Sequence, residues 1–265
     1  MTTIKKFLLC TLLFWAANAT RASVATGDYA ISFGTNATLW DFSGSYTDSF
    51  GNGPIEYTIN MDSSGVFTGV GAGSYSDDTG FLNFDVSLKG TARSSGNLVR
   101  LTVNLKMTGA GQIEGYDATF SATATERLEL DPVGLQLIGT ARGRATVAVP
   151  GLGRQSAPMP TSDVQVPLPS DMSGTWDLAL SVVSTNQTKY SGTALATLSS
   201  GRSFPLTITG SYAPKTDASK LTLKGAGLNR AITLALLASV TNSKVTLHKL
   251  NGKALGQSLR MPGGH

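Results

Sequence analysis

The chain carries one ordered pattern twice. Trp40-Asp41-Phe42 is followed by Ser63-Ser64-Gly65, Gly73-Ser74-Tyr75 and Leu88-Lys89-Gly90. Trp176-Asp177-Leu178 is followed by Ser199-Ser200-Gly201, Gly210-Ser211-Tyr212 and Leu223-Lys224-Gly225. The offsets between copies are 136, 136, 137 and 135 residues, so only single-residue slips separate them. A repeat at fixed offset points both halves to the same supersecondary unit.

Periodicity identifies that unit. Ile55, Tyr57, Ile59 and Met61 alternate with Glu56, Thr58, Asn60 and Asp62. Leu82, Phe84, Val86 and Leu88 alternate with Asn83, Asp85, Ser87 and Lys89, and Leu101, Val103, Leu105 and Met107 repeat the scheme. A period of two gives each strand one apolar and one wet face. Asp62-Ser63-Ser64-Gly65, Asp77-Asp78-Thr79-Gly80 and Ser94-Ser95-Gly96-Asn97 are turn clusters whose Gly or Asn accepts positive φ. The second copy follows suit with Trp176, Leu178, Leu180 and Val182, then Phe204, Leu206 and Ile208, then Leu221 and Leu223. Ala and Leu in Asn229 to Val240 favour a helix, but the counterpart Leu98 to Met107 alternates, and the segment is read as a strand. Asn251-Gly252 predicts a type I′ turn between the last two strands. The expected fold is all-β: two tandem copies of an antiparallel up-and-down meander, barrel-like or sandwich, standing apart or merged into one larger β structure.

The ends and the middle suggest an organisation. Residues 1–22 read as a signal peptide, with Lys5 and Lys6, an apolar run from Phe7 to Ala16, and Ala17-Asn18-Ala19 as an A-x-A site. That run is too short for a membrane core needing about 20 apolar residues. The expected destination is therefore outside the cytoplasm: periplasm, cell surface or medium. Cys10 is the one cysteine and lies in this leader, so disulfides, thiolate zinc and a thiol nucleophile are not expected. Pro150, Pro158, Pro160, Pro167 and Pro169 mark 150–172 as an extended connector able to lie along a sheet edge. It would separate a first repeat, 23–149, from a second, 173–265. The repeats differ in charge. Residues 20–149 hold 8 basic and 13 acidic side chains, and residues 150–265 hold 11 and 4.

Catalytic signatures are scarce. The two histidines are His248, expected on a wet strand face in solvent, and the terminal His265. No G-x-S-x-G elbow, phosphate loop or dinucleotide fingerprint opens a helix. Asp78-Thr79-Gly80 spells the aspartic-protease tripeptide, but Ser76-Asp77 replace the apolar lead-in and the second copy reads Pro214-Lys215-Thr216-Asp217. No catalytic residue, metal ligand or cofactor is expected. The candidate binding positions are Trp40, Asp41, Trp176 and Asp177. Each Trp either fills a core, removing about 150–250 Å² from water, or offers a sugar platform with its Asp on the hydroxyls. The apolar alternation after Trp176 favours the core. Lys215, Lys220, Lys224, Lys244, Lys249 and Lys253 could form a stripe for an anionic polymer or lipid surface. They lack the interleaved aromatics of a nucleic-acid groove. The opposite charges of the repeats also suit self-association.

The leading expectation is an exported, non-catalytic protein with a structural or binding role. One alternative is a barrel carrying an apolar ligand or lipid, lined by Ala118, Ala122, Ala124, Ala194 and Ala196. Another is a hydrolase using Asp41 or Asp177. A membrane barrel needs an outward apolar band, which polar wet faces do not supply.

Overall fold

The structure, a computed structural model, describes residues 27–32, 39–50, 53–95, 98–168, 173–174, 176–186, 188–213, 215–216, 218–226, 231–241 and 244–261. The expected leader, with Cys10, and His265 lie outside these residues. Every regular element described is a strand. The first eight long ones are β3 (Gly44–Phe50), β4 (Gly53–Met61), β5 (Val66–Asp77), β6 (Gly80–Ser95), β7 (Leu98–Ile113), β8 (Tyr116–Asp131), β9 (Gln136–Val149) and β10 (Gly153–Pro167). They form one antiparallel meander in chain order. The second sheet contains β12 (Trp176–Asn186), β13 (Lys189–Leu198), β14 (Ser203–Ala213), β15 (Ala218–Gly225), β16 (Thr233–Thr241), β17 (Lys244–Ala254) and β18 (Gln257–Met261), again in chain order. Its outer edge is β1 (Gly27–Ser32), which crosses from the start of the chain to pair with β12. A short ladder of β2 (Leu39–Trp40) with β11 (Ser173–Gly174) completes the set. The all-β, antiparallel meander expectation holds, and Thr233–Thr241 is a strand despite its helix-forming composition.

The repeated motifs occupy matching places. Ser63-Ser64-Gly65 closes the β4–β5 turn and Ser199-Ser200-Gly201 the β13–β14 turn, with Gly65 at φ 84° and Gly201 at φ 85°. A side chain is strained there, which explains the glycine in both copies. The glycine of Gly-Ser-Tyr faces a large neighbour in each sheet, Gly73 opposite Phe84 and Gly210 opposite Leu221. The glycine of Leu-Lys-Gly does the same, with Gly90 opposite Phe67 and Gly225 opposite Leu206. These motifs are packing rules. The segment expected as a connector holds β10, hydrogen-bonded only to β9 at the edge of the first sheet. Its prolines fit there, because an edge strand leaves one row of N–H groups unused. The ladder slips between Met159 and Ser162, around Pro160.

Glycines punctuate the inner face of the first sheet where its strands approach closely. One row across its inner face reads Asp48, Ile55, Gly73, Phe84, Gly109, Phe120, Val147. Rings alternate with bare backbone, and the Phe84 and Phe120 rings lie 6.0 Å apart. A Cβ on Gly109 would stand 2.0 Å from the Asn83 carbonyl oxygen, and one on Gly111 would stand 1.9 Å from that of Phe81. Neighbouring strands approach too closely there for any side chain, as at the bends of coiled sheets. Gly109→Val is expected to destabilise the fold by about 1–3 kcal/mol through overpacking. Urea unfolding measures this, and a variant as stable as the parent would contradict the close approach.

Two apolar clusters fill the interior. The larger joins Met61, Phe67, Leu101 and Leu128 of the first sheet to Leu178, Leu206, Leu223 and Leu234 of the second. The smaller, around Phe84, Met107 and Phe120, fills the far half of the first sheet. Ala122 packs in this smaller cluster, and Ala194 and Ala196 in the larger. The β17–β18 turn sits against the first sheet: Leu255 N donates to Ser63 O at 2.9 Å, and Ser258 N to Ser94 Oγ at 2.6 Å. This turn is not at Asn251-Gly252, as the dipeptide suggests, but at Leu255-Gly256, with φ of 51° and 71°. Burial decides it. Leu255 is fully buried between the sheets, which offsets the roughly 1–2 kcal/mol of a left-handed leucine. Asn251 is left in mid-strand, opposite Ala235 and Arg260.

Candidate functional site

The outer face of the second sheet gathers positive charge. Strand pairing places Lys224, Thr233, Lys253 and Ser258 in one row across β15 to β18. The next rows are Thr222, Ala235, Asn251, Arg260, and then Lys220, Leu237, Lys249. Lys220, Lys224, Lys249, Lys253 and Arg260 are all exposed. At ordinary strand spacing and rise they share a field roughly 14 by 13 Å. Strands β14 to β18 contain no aspartate or glutamate, so no carboxylate on them divides the patch. Thr233, Lys249, Asn251, Lys253, Ser258 and Arg260 line an open groove within it. Convergent ammonium and guanidinium groups flanked by amide and hydroxyl donors suit phosphate, sulfate or carboxylate oxygens. Four of the six lysines expected to form a stripe meet here. Lys215 is exposed in the β14–β15 turn, and the Lys244 side chain lies outside the described ones. Arg260 was missed by the lysine count, although its place between Leu259 and Met261 continues the alternation and puts it on the wet face.

Trp40 and Asp41 serve the joint between the sheets. Trp40 is buried, and its backbone N and O are held by Gln257, which accepts at 3.0 Å and donates at 2.7 Å. One side-chain amide thus does the work of a neighbouring strand. Asp41 is 5% exposed. Its two oxygens accept from Arg202 Nη1 at 3.0 and 3.2 Å, and Oδ1 also accepts from Ser43 N at 3.1 Å. Arg202 further donates to Ser43 Oγ at 2.8 Å and to the Met61 carbonyl, and lies 5.0 Å above the Phe204 ring. Both oxygens of this buried aspartate are engaged within the joint, with little surface left for a sugar or a water. Asp177, its sequence equivalent, is exposed on β12 between Ser32 and Thr197. Trp176 opens β12 opposite Leu198, and its side chain lies outside the described ones. The equivalent aspartates have therefore diverged, one into a buried ion pair and one onto the surface.

Inside the first sheet lies a carboxyl that alternation could have located. Glu126 shares the inward parity of Ala122, Ala124, Leu128 and Leu130, in a row with Phe67, Gly90, Val103 and Ala141. Burial, and then the negative charge of Asp48, push its carboxyl up to about 7. Strands β3 and β8 are five steps apart, about 24 Å in a flat sheet, so the action of Asp48 on Glu126 means that the first sheet curls to bring them together. Tyr57, stacked on Tyr46 at 5.4 Å, is raised by burial and by both carboxylates.

Two other sequence candidates resolve into turn and bulge geometry. Asp77 accepts from Thr79 N at 2.8 Å, Thr79 Oγ1 at 2.6 Å, Gly80 N at 3.1 Å and Tyr75 Oη at 2.6 Å. These bonds, those from Thr79 first, lower its carboxyl to about 2. The Asp-Thr-Gly tripeptide is thus part of a capped turn. His248 is the extra residue of a bulge opposite Leu237 and Ala238, with Nε2 2.8 Å from Ser239 Oγ. It is half-buried rather than in open solvent, because the bulge moves the inward set from Leu247 to Leu250. No group of three or more His, Cys, Asp or Glu able to hold a metal occurs among the described residues. No protein-family model, curated protein or solved structure matches the chain.

Proposed function

We propose that this is an exported, non-catalytic β protein that holds a polyanionic partner on the outer face of its second sheet. The observation carrying this reading is the cluster of Lys220, Lys224, Lys249, Lys253 and Arg260 on strands that bear no carboxylate. Like charges gathered at this density repel one another, and an anionic partner relieves that repulsion. The reading of the leader supports a place outside the cytoplasm, where anionic polysaccharide and lipid headgroups are the abundant polyanions. Outward side chains such as Asn83, Asp85, Ser87 and Lys89 on β6 are polar, the reverse of the apolar band of a membrane barrel. Catalysis through Asp41 is disfavoured by its commitment to Arg202.

Heparin, a soluble sulfated polyanion, is the test ligand. The protein is expected to bind immobilised heparin at low salt and to elute at higher salt than a variant with Lys249, Lys253 and Arg260 replaced by serine. Equal elution of the two would count against the face. A cation pair contributes little singly, so removing three of five is expected to weaken binding by at least about tenfold, close to 1.4 kcal/mol.

A further inference from the structure

Resting on that reading of the basic face, we infer that its partner is a second copy of this chain, docked through the carboxylate-rich hairpin ends of the first sheet. Residues 74–88 and 107–125 contain Asp77, Asp78, Asp85, Glu114 and Asp117 and no lysine or arginine. All five carboxylates are exposed. The two stretches form one surface, because β6 pairs with β7 and Glu114 N donates to Thr79 O at 2.6 Å, tying the β5–β6 turn to the β7–β8 turn. Phe81 and Tyr116 stand among these carboxylates, 45% and 55% exposed. Arg154 on β10 is a nearby cation at that end, and it sits on the sheet's edge.

Five carboxylates, bordered by Lys89, Lys106 and Arg154, complement five cations on strands that bear no carboxylate. Within one molecule the patches do not meet. Ser94 holds Ser258 beside the basic face, and Phe81 lies 13 residues along β6 from it, about 40 Å of strand. That exceeds the roughly 8 Å screening length at physiological salt, so each patch is left to a partner. The half-buried Leu237, between Lys220 and Lys249, gives the exposed rings an apolar seat. Contact between two different patches is heterologous and propagates head to tail. Summed charge sets its rate and register, so the assembly is salt-sensitive.

Sedimentation velocity of the intact protein tests this at about 0.01 M and about 1 M ionic strength, where the screening length is about 30 and 3 Å. The mass is expected to rise with concentration at low salt and to remain that of one chain at high salt. K249E/K253E and D78K/E114K should each stay single at low salt, since the first cuts the basic patch from +5 to +1 and the second cuts the acidic patch from −5 to −1. Their equimolar mixture should associate again. K220E/K224E with D85K/D117K gives a second pair of exposed replacements should either protein of the first pair fail to fold. A parent that stays single at low salt yet binds heparin overturns the inference and leaves the polyanion reading standing. A mixture of folded variants that stays single also overturns it. A parent that neither associates nor binds heparin overturns both.

Discussion

Arg202→Leu is expected to destabilise the protein by about 3–5 kcal/mol, the usual cost of leaving a buried charge without its partner. Asp41 would remain in the joint with Ser43 N as its donor, and the Met61 carbonyl and Ser43 hydroxyl would lose the guanidinium. For a chain of this size the melting temperature should fall by roughly 10 °C. Arg202→Lys keeps the charge but loses the planar fork that serves Asp41, Ser43 and Met61 together, so an intermediate loss is expected. Thermal unfolding followed by far-UV circular dichroism measures both. The larger effect follows from position: Arg202 comes from the second repeat and its acceptors from the first, 141 to 161 residues away. A fall of less than about 1 kcal/mol would mean that the pair is a surface contact of the ordinary weak kind.

Glu126→Gln should stabilise the protein, and only on one side of neutrality. A largely buried carboxyl raised to about 7 keeps its proton in the folded state, whereas the unfolded chain releases it near the ordinary 4.5. The stability contributed by the proton is therefore complete below about 4.5 and is lost as pH rises through about 7. The loss is of the order of 3 kcal/mol at pH 8. Glutamine has no proton to lose, so the variant should gain up to that amount over the parent at pH 8 and little at pH 4.5. Asp48→Asn removes the second cause and should give a smaller gain of the same sign. Urea midpoints measured from pH 4 to 9 give the comparison. Parallel curves for parent and Glu126→Gln would mean that Glu126 reaches water and that the roll is looser than described.

Much of this fold is written in local pattern. Alternation in Leu82–Lys89 and Leu101–Thr108 places the inward residues correctly, because a one-residue slip would expose the whole apolar set. Ser-Ser-Gly marks the turns because only a glycine sits easily at φ near 85°. Features set by distant partners were not legible. Nothing in Gly27–Ser32 says that it joins the other sheet's edge, and Asn251-Gly252 is a better turn than Leu255-Gly256 until the burial of Leu255 is known. The candidate site divides the same way. The lysines of the basic face could be counted, but which of them share rows with Arg260 depends on register. The repeated Trp-Asp suggested equivalent roles, while the tertiary environment gave Asp41 to Arg202 and left Asp177 on the surface. Glu126 was legible by parity alone, but its shifted carboxyl needed Asp48 brought across a rolled sheet.

Binding through one face and binding through net charge are separated by one comparison. Lys249, Lys253 and Arg260 replaced by serine, and Arg127, Arg142 and Arg144 replaced by serine, change the net charge equally. The second trio is exposed on the outer face of β8 and β9, where carboxylates are interspersed: Glu129 pairs with Arg100, and Asp163 lies opposite Thr140. Heparin affinity of both variants, measured side by side at several salt concentrations, should fall sharply for the first and stay near that of the parent for the second. Equal losses in the two would contradict the assignment of binding to the second sheet.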